Sequence, residues 1–199
     1  LPEDALSGTT TARPVAPLPI DEQIPSTDEI ATIAAQLDAA ERPVVIVGGG
    51  AWTDAARRDL AAFAARTRIP VVAAFRFHDL IDNHNPGYVG EAGVAMPAAV
   101  RETLTSADCV VGLGIRFGEM TTAAWDLWTV PTPAVPLVHV HPDPEQLGRI
   151  HTPTVGIVAR PGPTLAALAG VELRERTDDW CRSRREAFLA TLACPPQPG

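Results

Sequence analysis

Val44-Val-Ile-Val47 runs straight into Gly48-Gly-Gly50, and a helical stretch then leads to a second β-branched run, Val71 to Phe75; few folds accept that succession. Four β-branched residues without polar alternation describe a strand buried on both faces, which occurs in parallel sheets covered by helices. Thr53 or Asp54 can cap the intervening helix, whose inner face carries Leu60, Phe63 and Ala64, and Ile69-Pro70 leads into the second strand. The unit is about thirty residues long, the size of a right-handed βαβ crossover.

The alternation recurs on both sides of this unit. Ser26-Thr-Asp-Glu29 forms a capping box ahead of an apolar stripe of Ile30, Ile33 and Leu37, which predicts a helix over about 27–41 ending before Pro43. Pro97 opens a helix bearing Val100 and Leu104, and strands follow at Cys109 to Gly114, Leu137 to His141 and Thr154 to Ala159. Five strands with interleaved helices make a doubly wound α/β sheet. Gly170 suits a helix C-cap, and a last helix over about 178–192 carries Trp180, Phe188 and Leu192 on one face. That helix either packs back on the sheet or leads into a following domain.

The chain has 199 residues, 46% of them apolar, which supports one substantial core. Five of its 20 prolines precede residue 26, and Pro195, Pro196 and Pro198 fall in the last five positions. This divides the chain into a linker over 1–25, a domain over 26–170, and a C-terminal helix and linker over 171–199. A formal charge of -8 opposes binding to nucleic acid or anionic membrane surfaces. All 16 basic residues are Arg, so no Schiff-base or P-loop lysine is present. Cys109, Cys181 and Cys194 are widely separated and lack a CxxC spacing, which fits a reducing cytoplasm rather than a disulfide framework or zinc site.

In open parallel sheets ligands bind beyond the carboxyl ends of the strands. The turn Gly48-Gly-Gly50 would let backbone amides approach a phosphate, or would simply form a tight strand-to-helix turn, since its spacing is not GxGxxG. Gly112-Leu-Gly114-Ile-Arg116 places a fixed cation at the expected switch point, where Arg116 either grips a pyrophosphate or pairs with Glu119 or Asp126. His139 and His141 share a strand face, but Asp143 before Pro144 reads as a helix N-cap rather than a third metal ligand. The His78 to His84 stretch lacks any metal-site spacing and reads as a solvated loop. No nucleophile motif and no metal motif is present, so the residues alone reach a ligand-binding or vestigial Rossmann-like domain.

Several segments in order carry a family resemblance: Leu1 to Leu6, Arg42 to Gly50, Ile69 to Val72, Asn85 to Gly90, Ala107 to Phe117 and Val138 to Gly148. Their order and spacing resemble the end of the pyrimidine-binding domain and the whole central domain of thiamine-pyrophosphate-dependent enzymes of the acetolactate synthase type. The resemblance implies a three-layer αβα, Rossmann-like domain of the DHS-like NAD/FAD-binding type, with a mainly parallel, about six-stranded sheet. It further implies N- and C-terminal catalytic domains in the same chain, a homodimeric or homotetrameric parent, and thiamine pyrophosphate with Mg2+ held by those domains. The Gly-Asp-Gly of the cofactor motif is absent from these 199 residues.

Central domains of this kind bind FAD, ADP or nothing. Arg116 keeps the family's Gly-x-Arg-Phe, and Asp143 keeps the second acid of its Asp-x-Asp-Pro run. His141 replaces the first acid, Arg160 stands where an acid is common, and Glu91-Ala92-Gly93 lacks a histidine of FAD-binding members. Each lost acceptor in a buried site costs about 1 to 3 kcal/mol, which disfavours FAD. ADP stays possible, and the candidate nucleotide contacts are Gly48, Gly49, Gly50, Gly114, Arg116, Asp143 and Arg160. The first expectation is a vacant, architectural domain without catalytic residues, from a transferase or lyase acting on 2-keto acids. The alternatives are a stand-alone adenine-nucleotide-binding regulatory module and an NAD-dependent enzyme.

Overall fold

The computed structural model describes residues 2–9, 11, 13–17, 22–50 and 52–193. Leu1 of the resemblance, Cys194, and the prolines at 195, 196 and 198 lie outside the described residues. Six parallel strands form one sheet: β1 (Pro43–Val47), β2 (Val71–Ala74), β3 (Tyr88–Ala92), β4 (Cys109–Leu113), β5 (Leu137–Val140) and β6 (Val155–Ile157), in the order β3-β2-β1-β4-β5-β6. The direction of strand addition reverses between β1 and β4, as in the doubly wound fold. Every residue of β1 and of β4 is buried, because helices cover both faces.

The helices form where their stop and start chemistry lies. A short α1 (Glu3–Leu6) precedes α2 (Thr27–Ala39), whose capping box is present: Glu29 N–H donates to Ser26 Oγ at 3.2 Å and Ser26 N–H donates to Glu29 Oε2 at 2.7 Å. Thr53 rather than Asp54 caps α3 (Asp54–Thr67), accepting from the Ala56 N–H. α4 (Ala98–Ser106) starts after Pro97, and α5 (Pro161–Ala169) ends at Gly170. α3 packs on α5, whereas α4 packs on the final helix, α6 (Asp179–Thr191). Among the described residues no helix is long and apolar enough to cross a membrane.

One strand differs from the residue-level expectation, and the last helix takes the first of its two alternatives. β3 is a sixth strand, although Gly90 and Glu91 interrupt its apolar run; its register on β2 shifts between Val71 and Ala73 to accommodate it. The last helix packs back on the domain. Phe188 meets Tyr88 edge-on at 5.5 Å, Trp180 Nε1 donates to the Pro43 carbonyl at 2.9 Å, and Arg185 donates to the Tyr88 and Asn83 carbonyls. Leu192 does not share that face; it is 62% exposed and is the helix C-cap.

Candidate functional site

The parallel strands bring their carboxyl ends together around a cleft of about 470 Å³ over the switch point. Its walls are Phe75 and Phe77 after β2, Ile115, Phe117 and Trp125 after β4, and Ile150 after β5. Arg116, Arg149, Glu119 and Gln146 supply polar groups, while His139 and His151 reach it from the buried side.

Of the seven candidate residues, the cleft is lined by Gly49 and Arg116. Arg116 is exposed, and among the described residues neither Glu119 nor Asp126 pairs with it; Asp126 is held instead by Arg101. The other five do not line it. The Gly48 carbonyl accepts from Trp52 Nε1 at 2.9 Å, and Gly50 faces open space. Gly49 and Gly114 let two loops touch backbone to backbone: a Cβ on Gly49 would lie 1.9 Å from the Gly114 oxygen. Both glycines have left-handed backbones, φ +73 and +69.

Asp143 caps the 3-10 turn Pro144–Gln146, accepting from the Glu145 N–H at 3.0 Å and from Gln146 Nε2 at 3.1 Å. The Gln146 amide and then the Glu145 N–H hold its carboxyl below the usual range. Arg160 is the N-cap of α5; its N–H donates to the Gln23 carbonyl and its carbonyl accepts from Thr164 Oγ1. At the position of the missing acid, His141 Nδ1 accepts the Asp143 N–H at 3.0 Å, closing the start of the same turn.

Beneath the cleft lies an aromatic and imidazole cluster that local spacing did not announce. Phe117 meets His139 edge-on at 4.9 Å and Trp128 at 5.9 Å, and Trp128 meets His151 at 6.0 Å. His139 Nε2 lies 2.8 Å from the Ile115 carbonyl. A carbonyl only accepts, so Nε2 carries the proton and Nδ1 keeps a bare lone pair. Burial pushes the His139 imidazole down to about 4, against the opposing Ile115 bond, and burial also lowers His141 and His151.

This makes stability pH-dependent. His139 has a lower pKa folded than unfolded, so the unfolded chain takes up more protons below about pH 6.5. Its stabilisation is present above that pH and is lost as pH falls towards about 4. The loss from His139 alone is about 3 kcal/mol between pH 7 and 4. Urea midpoints measured across that range check it; His139→Gln should flatten the slope, and an unchanged slope in the variant would assign it elsewhere.

The sheet order and the cleft at its reversal define the class: a doubly wound, Rossmann-like domain with a cleft at the carboxyl edge of the sheet. The sequence profile of the family described as "Thiamine pyrophosphate enzyme, central domain" matches residues 30–168. The chain belongs to that family. It is 25% identical over 165 residues to the acetolactate synthase large subunit of Cyanidium caldarium, covering 83% of this chain and 28% of the relative. It is 30% identical over 156 residues to glyoxylate carboligase of Escherichia coli O157:H7, covering 78% and 26%. It is 31% identical over 105 residues to 3D-(3,5/4)-trihydroxycyclohexane-1,2-dione hydrolase of Listeria monocytogenes serotype 4b (strain F2365), covering 53% and 16%. The chain therefore spans less than a third of the length of these relatives.

Proposed function

We propose that this domain is the non-catalytic centre of a thiamine-pyrophosphate-dependent enzyme acting on 2-keto acids in the cytoplasm, and that its cleft docks an adenine nucleotide such as ADP. Its architectural role is to hold the flanking catalytic domains of the same chain in register, in a homodimeric or homotetrameric parent. Thiamine pyrophosphate and Mg2+ find no fit here: the sequence has no Gly-Asp-Gly, and among the described residues no three His, Cys, Asp or Glu side chains gather as metal ligands. Cofactor chemistry belongs to the flanking domains.

The single observation that supports nucleotide docking is the pair of cations at the cleft, Arg116 and Arg149, neither of which has an ion pair among the described residues. A guanidinium in that place is suited to bidentate phosphate binding. Arg116→Ala should weaken ADP binding about 10- to 100-fold, the worth of a charge-assisted hydrogen bond. Stability should change by no more than about 0.5 kcal/mol, because the side chain is exposed. Calorimetric titration beside urea unfolding reads both quantities. Lack of ADP binding by the wild-type chain would leave the architectural role alone.

A further inference from the structure

The two edges of the sheet are finished differently. At the amino edge polar groups close the ends of helices and strands: the Asp108 carboxylate accepts the N–H groups of Glu41 and Arg42, Arg174 donates to the Ala40 carbonyl, and Arg66 donates to the Leu168 and Val171 carbonyls. Guanidinium groups thus satisfy carbonyls that a helix C-terminus leaves without a partner. Apolar side chains stand out instead at the carboxyl edge. Val94 follows β3, Met120 and Trp125 follow β4, Val158 follows β6, and each is at least 40% exposed. Leu6 and Val15 precede the sheet, and Val130 is on the loop returning to β5.

α6 reaches the same edge. It starts beside the first residue of β1, where Trp180 donates to the Pro43 carbonyl, and runs along the strands to Phe188, which shares a hollow of about 370 Å³ with Val94, Ala95 and Pro97. Leu192, one turn further on, is exposed. Phe75 lines both this hollow and the main cleft, so the apolar surface is continuous from the end of α6 to Met120 and Trp125. The position of Trp125 is set at a conformational cost. Ala123, Ala124 and Trp125 have left-handed backbones in succession, φ 51, 57 and 62, a region that residues with a Cβ rarely occupy. Ala124 N–H donates to the Glu119 carbonyl at 2.9 Å and Trp125 N–H donates to Thr122 Oγ1 at 3.1 Å, so the strained turn holds an indole at the surface. Strain of this kind gathers at sites that meet a ligand or a partner, and Trp and Met are residue types enriched in the centre of interfaces.

We infer that this carboxyl-edge surface, with Trp125 as its anchor, packs against the flanking catalytic domain that follows α6 in the longer parent chain. The inference rests on the architectural part of the reading above, needs no nucleotide, and names the face which that role uses. Three observations select this occupant. The chain belongs to a family of central domains and spans less than a third of the length of its relatives. α6 delivers its last turn to the border of this face, so a domain that follows it reaches the face without a long connection. The face itself is apolar and continuous, and covering it removes that surface from water, whereas the amino edge is already closed by polar groups.

Hydroxyl-radical labelling read by mass spectrometry, on the 199-residue chain and on the full-length parent chain, tests the inference. Met120 and Trp125 should label readily in the 199-residue chain and fall, in the parent, to the level of the buried Trp128. Trp180, at the amino edge, should label equally in both. Trp125→Ser in the parent should restore the labelling of Met120, and the same substitution should leave the melting midpoint of the 199-residue chain unchanged; a lowered midpoint would make Trp125 a core residue and overturn the inference. Equal labelling of Trp125 in the two chains would overturn it as well. Protection of other described residues in the parent would then leave the architectural role on a different face, and protection of none would remove that role too. Protection of Trp125 that grows with the concentration of the 199-residue chain alone would overturn the inference by assigning the face to a second copy of this chain.

Discussion

Gly49→Ala is expected to destabilise the domain by about 2 to 5 kcal/mol, combining a left-handed backbone penalty of about 1 to 2 with overpacking of about 1 to 3. The new Cβ would sit 1.9 Å from the Gly114 carbonyl oxygen, and that oxygen is backbone, so no rotamer change relieves the contact. The loop around it has little room to retreat. Gly114 N–H donates to the Val140 carbonyl at 2.8 Å, and a Cβ on Gly114 would in turn lie 2.7 Å from both the Gly48 oxygen and Pro161 Cγ. The collision thus sits where β1, β4, β5 and α5 converge. Gly50→Ala is the matched control: nothing lies within 4 Å of its Cβ, and its change should stay within about 0.5 kcal/mol. Urea unfolding followed by circular dichroism compares the two. Equal midpoints for Gly49→Ala and Gly50→Ala would contradict the backbone contact.

A loss of about 3 to 5 kcal/mol is likewise expected for Phe188→Ala, which removes a buried phenyl ring. Phe188 is the largest buried apolar side chain of α6: it is 8% exposed, its ring stands edge-on to Tyr88, and Gly90 makes room for it. A Cβ on Gly90 would lie 2.8 Å from the Phe188 ring and 2.5 Å from Val100 Cγ2, so the interruption in β3 is a socket for the helix. Loss of the ring should release α6 first, because its other ties are mainly single polar contacts, Trp180 to the Pro43 carbonyl, Arg185 to the Tyr88 and Asn83 carbonyls and Arg184 to Glu102 at 2.9 Å. Amide exchange should therefore rise in α6 before it rises in β1 and β4. A stability loss below about 1 kcal/mol would mean that α6 does not contribute to the core.

β1, β2, β4 and β5 are legible in the sequence because an unbroken β-branched or apolar run between turn residues suits little in a globular chain except a buried strand. α5 is visible only through its C-cap at Gly170, since Pro161-Gly-Pro163 at its start is poor helix material apart from the N1 position. β3 is legible through the family resemblance and not through its residues: Gly90 and Glu91 spoil a strand pattern until Phe188 and the β2 bulge are known. Arg116 stands out in the sequence as a fixed cation directly after a buried strand, and the fold puts it at the cleft.

The seven candidate contacts show the same division. Glycine-rich turns and capping acids look alike in sequence whether they face a ligand or their own backbone. Gly49 faces both, whereas the Asp143 carboxylate and the Arg160 backbone are engaged in helix starts. His151, Phe75, Phe77, Trp125 and Arg149 carry no local pattern that marks them as neighbours.

The class of fold, the family and the position of the switch point are readable along the chain, because burial patterns, turn residues and caps act over a few neighbouring residues and survive being read in one dimension. Membership of the cleft is instead a product of folding. Parallel packing draws Gly49, Phe75, Arg116, His139 and His151 together from loops spread over half the chain, and burial then strips His139 of its charge and leaves its Nδ1 without a partner. Those are properties of distance and dielectric between remote segments, and no local spacing encodes them.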